Sequence, residues 1–154
     1  MDKDTKYKDL LARLAPMIEG EANAVSVMAN VTALMKEIMG DSYFWVGFYT
    51  VNGDRLELGP FQGTTACYRI KHGRGVCDTS WAQNKTLVVP DVEEFPGHIA
   101  CSSLSRSEIV VPLTDATGVV RSVLDIDSRE LATFDETDSR YLEQAAAIIS
   151  RVIY

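Results

Sequence analysis

Residues 107–127, SEIVVPLTDATGVVRSVLDID, read as two strands joined by a tight turn. The β-branched SEIVVPL and the alternating VVRSVLDID flank the short glycine-containing ATG, the pattern of a β-hairpin. In the second strand Asp125 and Asp127 alternate with Leu124 and Ile126. Both carboxylates therefore project from one face and the two aliphatic side chains from the other. Glu108 opens the partner strand and is expected near them. Carboxylates on a covered sheet face are costly unless they bind something, which makes this face a candidate binding surface. A solvated face is the alternative reading of the same alternation.

Working back from the hairpin, EEFPGHIACSSLSRS (93–107) is rich in Pro, Gly and Ser and has neither the helical nor the strand period. Loops of this length are commonly functional or disordered. KTLVVPDV (85–92) reads as a strand ended by Pro90, and ACYRI (66–70) as a short strand. HGRGVCDTSWAQN (72–84) has two glycines before a helix-compatible run, with Asp78 or Thr79 as candidate caps of its first turn. Further back, YFWVGFYTV (43–51), the turn signal NGD and RLELGPFQG (55–63) form another hairpin, whose Trp45, Phe48, Tyr49 and Phe61 read as core or pocket wall.

Helices close both ends. Leu10, Leu11, Leu14, Met17 and Ile18 recur at helical spacing over residues 3–18, and Val27, Met28, Val31, Leu34, Met35 and Ile38 do so over 21–39. FDETDSRYLEQAAAIISRVIY (134–154) starts acidic and carries Leu142, Ala145, Ile148, Ile149 and Val152 on one face. The order ααβββαβ-loop-ββα gives an α+β layer fold, an antiparallel sheet with helices on its faces or ends. With 154 residues, 46% of them hydrophobic and 24% charged, the chain is sized for one domain.

A net charge of −7 and no Lys/Arg run longer than two argue against nucleic-acid binding. The N-terminal MDKDTKYKDLLARLAP lacks the apolar region of a signal peptide, and no apolar run is long enough to span a bilayer. The expected setting is cytoplasmic and reducing, where a disulfide is transient and catalytic rather than structural. An odd count of three cysteines agrees with that, since any one pair leaves a thiol over.

Cys67, Cys77 and Cys101 could be buried small hydrophobes. Local context favours chemistry. Cys77 adjoins a helix N-terminus and lies close to Arg74, both of which favour thiolate, so spacing alone points to Cys77 as nucleophile. Cys101 sits on the irregular loop beside His98. A Cys3His zinc set drawn from these thiols and His72 or His98 is the next alternative, but no two cysteines have the short spacing of a zinc knuckle. A Ser/His/Asp hydrolase is weaker, because no GxSxG elbow is present and the chain has two histidines.

GDRLELGPFQGTTAC (53–67), HGRGVC (72–77), FPGHIACSSLSRSEIVVPL (95–113) and VLDIDS (123–128) resemble the free methionine-(R)-sulfoxide reductases, small stand-alone GAF-domain enzymes. The resemblance implies a single GAF domain over 1–154, with an N-terminal helix over 1–20 and a GAF core over 21–154. Its N- and C-terminal helices would pack on one side of a central antiparallel sheet and the active-site loops on the other. Carried over by motif, Cys101 is the catalytic cysteine, Cys67 its resolving partner and Cys77 an auxiliary thiol. Glu108, Asp125 and Asp127 become substrate-binding carboxylates, and Trp45 the wall against which the substrate methyl packs. The implied activity is reduction of free methionine-(R)-sulfoxide through a cysteine sulfenic acid and an intramolecular disulfide, regenerated by thioredoxin. No metal or organic cofactor is implied, and a homodimer is. The apolar faces of the three terminal helices, which look larger than one small sheet covers, agree with pairing. The competing reading is a non-catalytic, sensory GAF module that binds a small ligand.

Overall fold

The hairpin of residues 107–127 is the centre of the sheet's second half: β5 (Ser107–Thr114) and β6 (Val120–Ser128) pair antiparallel in a computed structural model that describes residues 1–98 and 101–154. Ile99 and Ala100 of the GHIAC motif lie outside the described residues. Asp115 fixes the turn, accepting hydrogen bonds from the backbone N–H groups of Thr117 (2.9 Å) and Val119 (3.1 Å). The other strands are β1 (Trp45–Asn52), β2 (Arg55–Gln62), β3 (Arg69–Ile70) and β4 (Leu87–Val89). They join in one antiparallel six-stranded sheet of order β3-β2-β1-β6-β5-β4.

Register decides what each face carries. Phe48 lies opposite Leu124, and Ile126 opposite both Val46 and Ile109. These five apolar side chains point to one side, where α1 (Lys3–Ile18), α2 (Ala24–Met39) and α4 (Glu136–Ile153) cover them with Leu10, Leu14, Val31, Met35, Leu142 and Ile149. Burying each such side chain contributes about 1.5–3 kcal/mol, so this layer supplies most of the driving force for folding. The helices are tied together at one end by Asp138 of α4, which is 2% exposed. It accepts hydrogen bonds from Tyr7 and from Lys3 Nζ, the latter at 2.6 Å, and completes a capping box with Asp135.

Three local boundaries differ from the sequence reading. α2 starts at Ala24, three residues after the start of the span 21–39 expected from sequence, because Asn23 caps it by accepting from the Ser26 N–H at 3.2 Å. α3 spans Gly75–Gln83, so Asp78 and Thr79 lie inside the helix rather than before it. Asp78 instead reaches back to accept the Gly73 N–H at 2.6 Å, which fastens the preceding turn to the helix. The strand expected over 66–70 is reduced to Arg69–Ile70, leaving Cys67 outside it. Most apolar residues of α1, α2 and α4 enter one internal cluster, while Leu11, Met17, Ile38, Ile148, Val152 and Ile153 pack on it half-buried and Val25 of α2 stays exposed.

Candidate active site

The opposite face of the sheet is built by the residues one step along the same strands. Trp45, Gly47 and Tyr49 of β1 alternate with the core residues, Asp127 lies opposite both Trp45 and Glu108, and Asp125 opposite Gly47. The three carboxylates the sequence singled out therefore converge, at 5%, 6% and 9% exposure for Glu108, Asp125 and Asp127. They line a cavity with about 570 Å³ of empty space, part of it open to solvent, together with Trp45, Tyr49, Cys77, His98 and Cys101.

Burial, then mutual repulsion, sets the protonation of these carboxyls. Glu108 is pushed well above the ordinary carboxylate range by desolvation and by the charges of Asp125 and Asp127, and Asp127 by desolvation and Asp125. Asp125 is also raised by burial, less so because the neighbouring Glu108 carboxyl, the Cys77 thiol and His98 oppose it. Its Oδ1 atom has no hydrogen-bond partner among the described residues. Such a set retains protons well above the pH at which isolated carboxylates lose them. It can therefore both attract a cation and donate a proton.

The apolar wall is stacked and pinned. The Trp45 ring stacks on Phe61 (5.2 Å between centroids) and Tyr49 (6.0 Å), and its indole N–H donates to the Thr64 carbonyl at 2.9 Å. Gly47 is required beneath it, since a Cβ there would sit 2.5 Å from the indole and 2.4 Å from the Phe61 Cβ. Tyr49 adds a link absent from the sequence reading: its hydroxyl donates to the Cys67 carbonyl at 3.1 Å and anchors the segment that carries that cysteine.

The thiols are divided. Cys67 and Cys101, 34 residues apart in sequence, are joined in a disulfide, and Cys101 borders the cavity. Cys77, in the first turn of α3, is free and buried among the carboxylates. Desolvation, followed by the charges of Asp125, Glu108 and Asp127, pushes its thiol well above the usual range. The thiolate expected from the helix N-terminus and Arg74 is thus overruled by the surroundings that the β5–β6 hairpin brings in. The Cys3His zinc set is not assembled, because two of its thiols are bonded to each other.

Residues 21–153 match the family model of the GAF domain. The free methionine-R-sulfoxide reductase of Escherichia coli (strain K12) is 42% identical over 153 residues, covering 99% of this chain and 92% of its own length. That of Saccharomyces cerevisiae is 37% identical, covering 98% of this chain and 87% of its own. The X-ray structure of free methionine-R-sulfoxide reductase from Neisseria meningitidis in complex with its substrate is 50% identical, with a TM-score of 0.94 over 98% of this chain and 90% of that one. The chain belongs to the free methionine-R-sulfoxide reductase family.

The residues singled out in sequence lie together. Glu108, Asp125, Asp127, Trp45, Cys77 and Cys101 share one cavity, and Cys67 is held at its edge by the bond to Cys101. The GAF architecture has the expected division, helices α1, α2 and α4 on one face and α3 with the cysteine-bearing segments on the other. Thr65, Ser102 and Ser105 also line this reductase-family pocket. They carry no sequence signal beyond lying near Cys67 and Cys101. Among the described residues no helix is long and apolar enough to cross a membrane.

Proposed function

We propose that this chain, an oxidoreductase by family, reduces free methionine-(R)-sulfoxide to methionine with Cys101 as nucleophile. The Cys101 thiolate attacks the sulfoxide sulfur. The sulfoxide oxygen takes a proton from a cavity carboxyl and passes to Cys101, releasing methionine and leaving a sulfenic acid. The Cys67 thiol then condenses with it, forming the Cys67–Cys101 disulfide and water. An external dithiol, thioredoxin by family, restores both thiols by exchange and is itself oxidised to a disulfide. No metal or organic cofactor enters these steps.

The observation that carries this reading is the joining of Cys67 to Cys101 at the rim of a cavity floored by three buried carboxyls. Roles divide by environment. Carboxyls that keep protons because they are buried and crowded suit proton donation to the sulfoxide oxygen, and the fraction that ionises attracts the substrate ammonium. A peptide-bound methionine sulfoxide has no such ammonium, which accounts for preference for the free amino acid. The Trp45 ring offers the flat apolar surface for the substrate methyl. Pairing of two chains is part of the proposal on family grounds.

The test is NADPH consumption with thioredoxin and thioredoxin reductase. Free methionine-(R)-sulfoxide should support steady turnover, and the (S) epimer and peptide-bound sulfoxide should not. Absence of turnover with the free (R) epimer by folded, reduced protein would sink the proposal.

A further inference from the structure

The thiol left out of the disulfide points beyond the redox cycle. Cys77 Sγ and carboxylate oxygens of Glu108 and Asp125 lie within 4.8 Å of one another, all three residues buried. A cation at the centre of a triangle of that size would stand at most about 2.8 Å from each donor, against about 2.3 Å for a zinc–sulfur and about 2.0–2.2 Å for a zinc–oxygen bond. Side-chain shifts of up to about 0.8 Å would therefore complete the contacts. Asp125 Oδ1, on a residue only 6% exposed, has no hydrogen-bond partner among the described residues and belongs to a side chain that lines the cavity. A buried carboxylate oxygen left unpaired is costly, and a cation would relieve it. We propose that Cys77, Glu108 and Asp125 form a binding site for a thiophilic divalent cation, with zinc the best match, on the floor of the cavity.

The donor chemistry selects the cation. Calcium and magnesium take six or more oxygen ligands, and a sulfur donor in a confined three-ligand site suits neither. Zinc accepts mixed sulfur and carboxylate ligands in a tetrahedral arrangement, here with the fourth position open to the cavity. The set differs from the Cys3His combination considered from sequence: it uses one cysteine, and that one is not consumed by the disulfide. The site is thus available in the oxidised protein. A cation held there would also occupy the carboxyls that the proposed reductase mechanism assigns to the substrate ammonium, so metal and amino acid should exclude each other. This competition rests on the proposed function, whereas the binding itself does not.

The test titrates the intact, oxidised chain with zinc by calorimetry and with cobalt by absorption. With Cys67 and Cys101 bonded, a thiolate-to-cobalt charge-transfer band can come only from Cys77. The expected result is one cation per chain and that band. Cys77→Ser should lose the band, and Asp125→Asn should weaken zinc binding by at least roughly tenfold, since even outer-shell changes at metal sites cost that much. Glu108→Gln serves in place of Asp125→Asn should the latter fail to fold. L-Methionine should weaken the apparent zinc affinity. No binding, no sulfur band, or equal zinc affinity in the folded carboxamide variants would overturn the site, and binding indifferent to methionine would overturn the competition. Turnover of metal-free, chelator-treated protein is read separately. Its absence alongside intact zinc binding would count against the reductase reading and leave the site standing.

Discussion

Phe48 and Tyr49 are neighbours in β1, yet they belong to two regions built on different terms. On the helix-covered face, Val46, Phe48, Ile109, Leu124 and Ile126 are completely buried and entirely apolar. On the α3 face, Trp45, Tyr49, Glu108, Asp125 and Asp127 are nearly as buried, but they bring hydroxyl and carboxyl groups with them. Burial on the first face lowers the free energy of the fold. On the second it raises the carboxyls and the Cys77 thiol out of their ordinary ranges, which costs stability and creates reactivity. One sheet thus separates the part of the molecule that holds it together from the part that carries the candidate site, and the separation is a matter of one residue along a strand.

Truncation on the two faces should have opposite signatures. Leu124→Ala, on the helix side, should lose about 2–5 kcal/mol in urea unfolding, a large fraction of the roughly 5–15 kcal/mol total for a domain. The activity of its folded fraction should change little. Asp127→Asn, the next outward-facing position but one, should lower kcat/KM for the sulfoxide by roughly 10- to 100-fold, as expected for one charge-assisted hydrogen bond to the ammonium. Its melting temperature at neutral pH should stay level or rise. If Asp127→Asn instead unfolds the protein as Leu124→Ala does, the two faces are not energetically distinct.

A smaller effect sharpens the same contrast. Asp127 and Glu108 have folded-state values above the reference values of 3.8 and 4.5, so between the unfolded and folded values the native state binds more protons than the unfolded chain. Their contribution to stability must then fall as pH rises through that window. Carboxyls shifted the other way, such as Asp115 and Glu57, act in the opposite sense below their reference values of 3.8 and 4.5. The melting temperature of wild type relative to Asp127→Asn should therefore decline as pH is raised from about 5 toward neutrality, where those lowered groups no longer contribute.

Much of this arrangement was legible because strands encode their faces with period two. The alternation of Asp125 and Asp127 with Leu124 and Ile126 gave both the core residues and the cavity floor, and the helical stripes of α1, α2 and α4 gave the layer that covers the former. What escaped depended on contacts distant in sequence. Cys77 looked activated because a helix terminus and an arginine are local signals, whereas the carboxyls that oppose ionisation come from β5 and β6, about 30 or more residues onward. Asp78 looked like a helix cap and turned out to secure the turn before the helix. The hydrogen bond from Tyr49 to the Cys67 carbonyl spans a hairpin and an irregular segment, and nothing in either stretch announces it. The pairing of Cys67 with Cys101 was legible only through motif resemblance, since spacing among three cysteines does not choose between pairs.

The three thiols are assigned different tasks, and counting the methionine formed in a single turnover distinguishes them. Reduced Cys67→Ser and Cys101→Ser proteins, mixed with free methionine-(R)-sulfoxide and no external reductant, are quenched and the methionine is counted. Cys67→Ser should yield roughly one methionine per chain and stop as the sulfenic acid, because the chemical step precedes resolution. Cys101→Ser should yield none. Methionine released by Cys101→Ser, together with its loss in Cys77→Ser, would contradict the account and assign the attack to the thiol at the helix terminus.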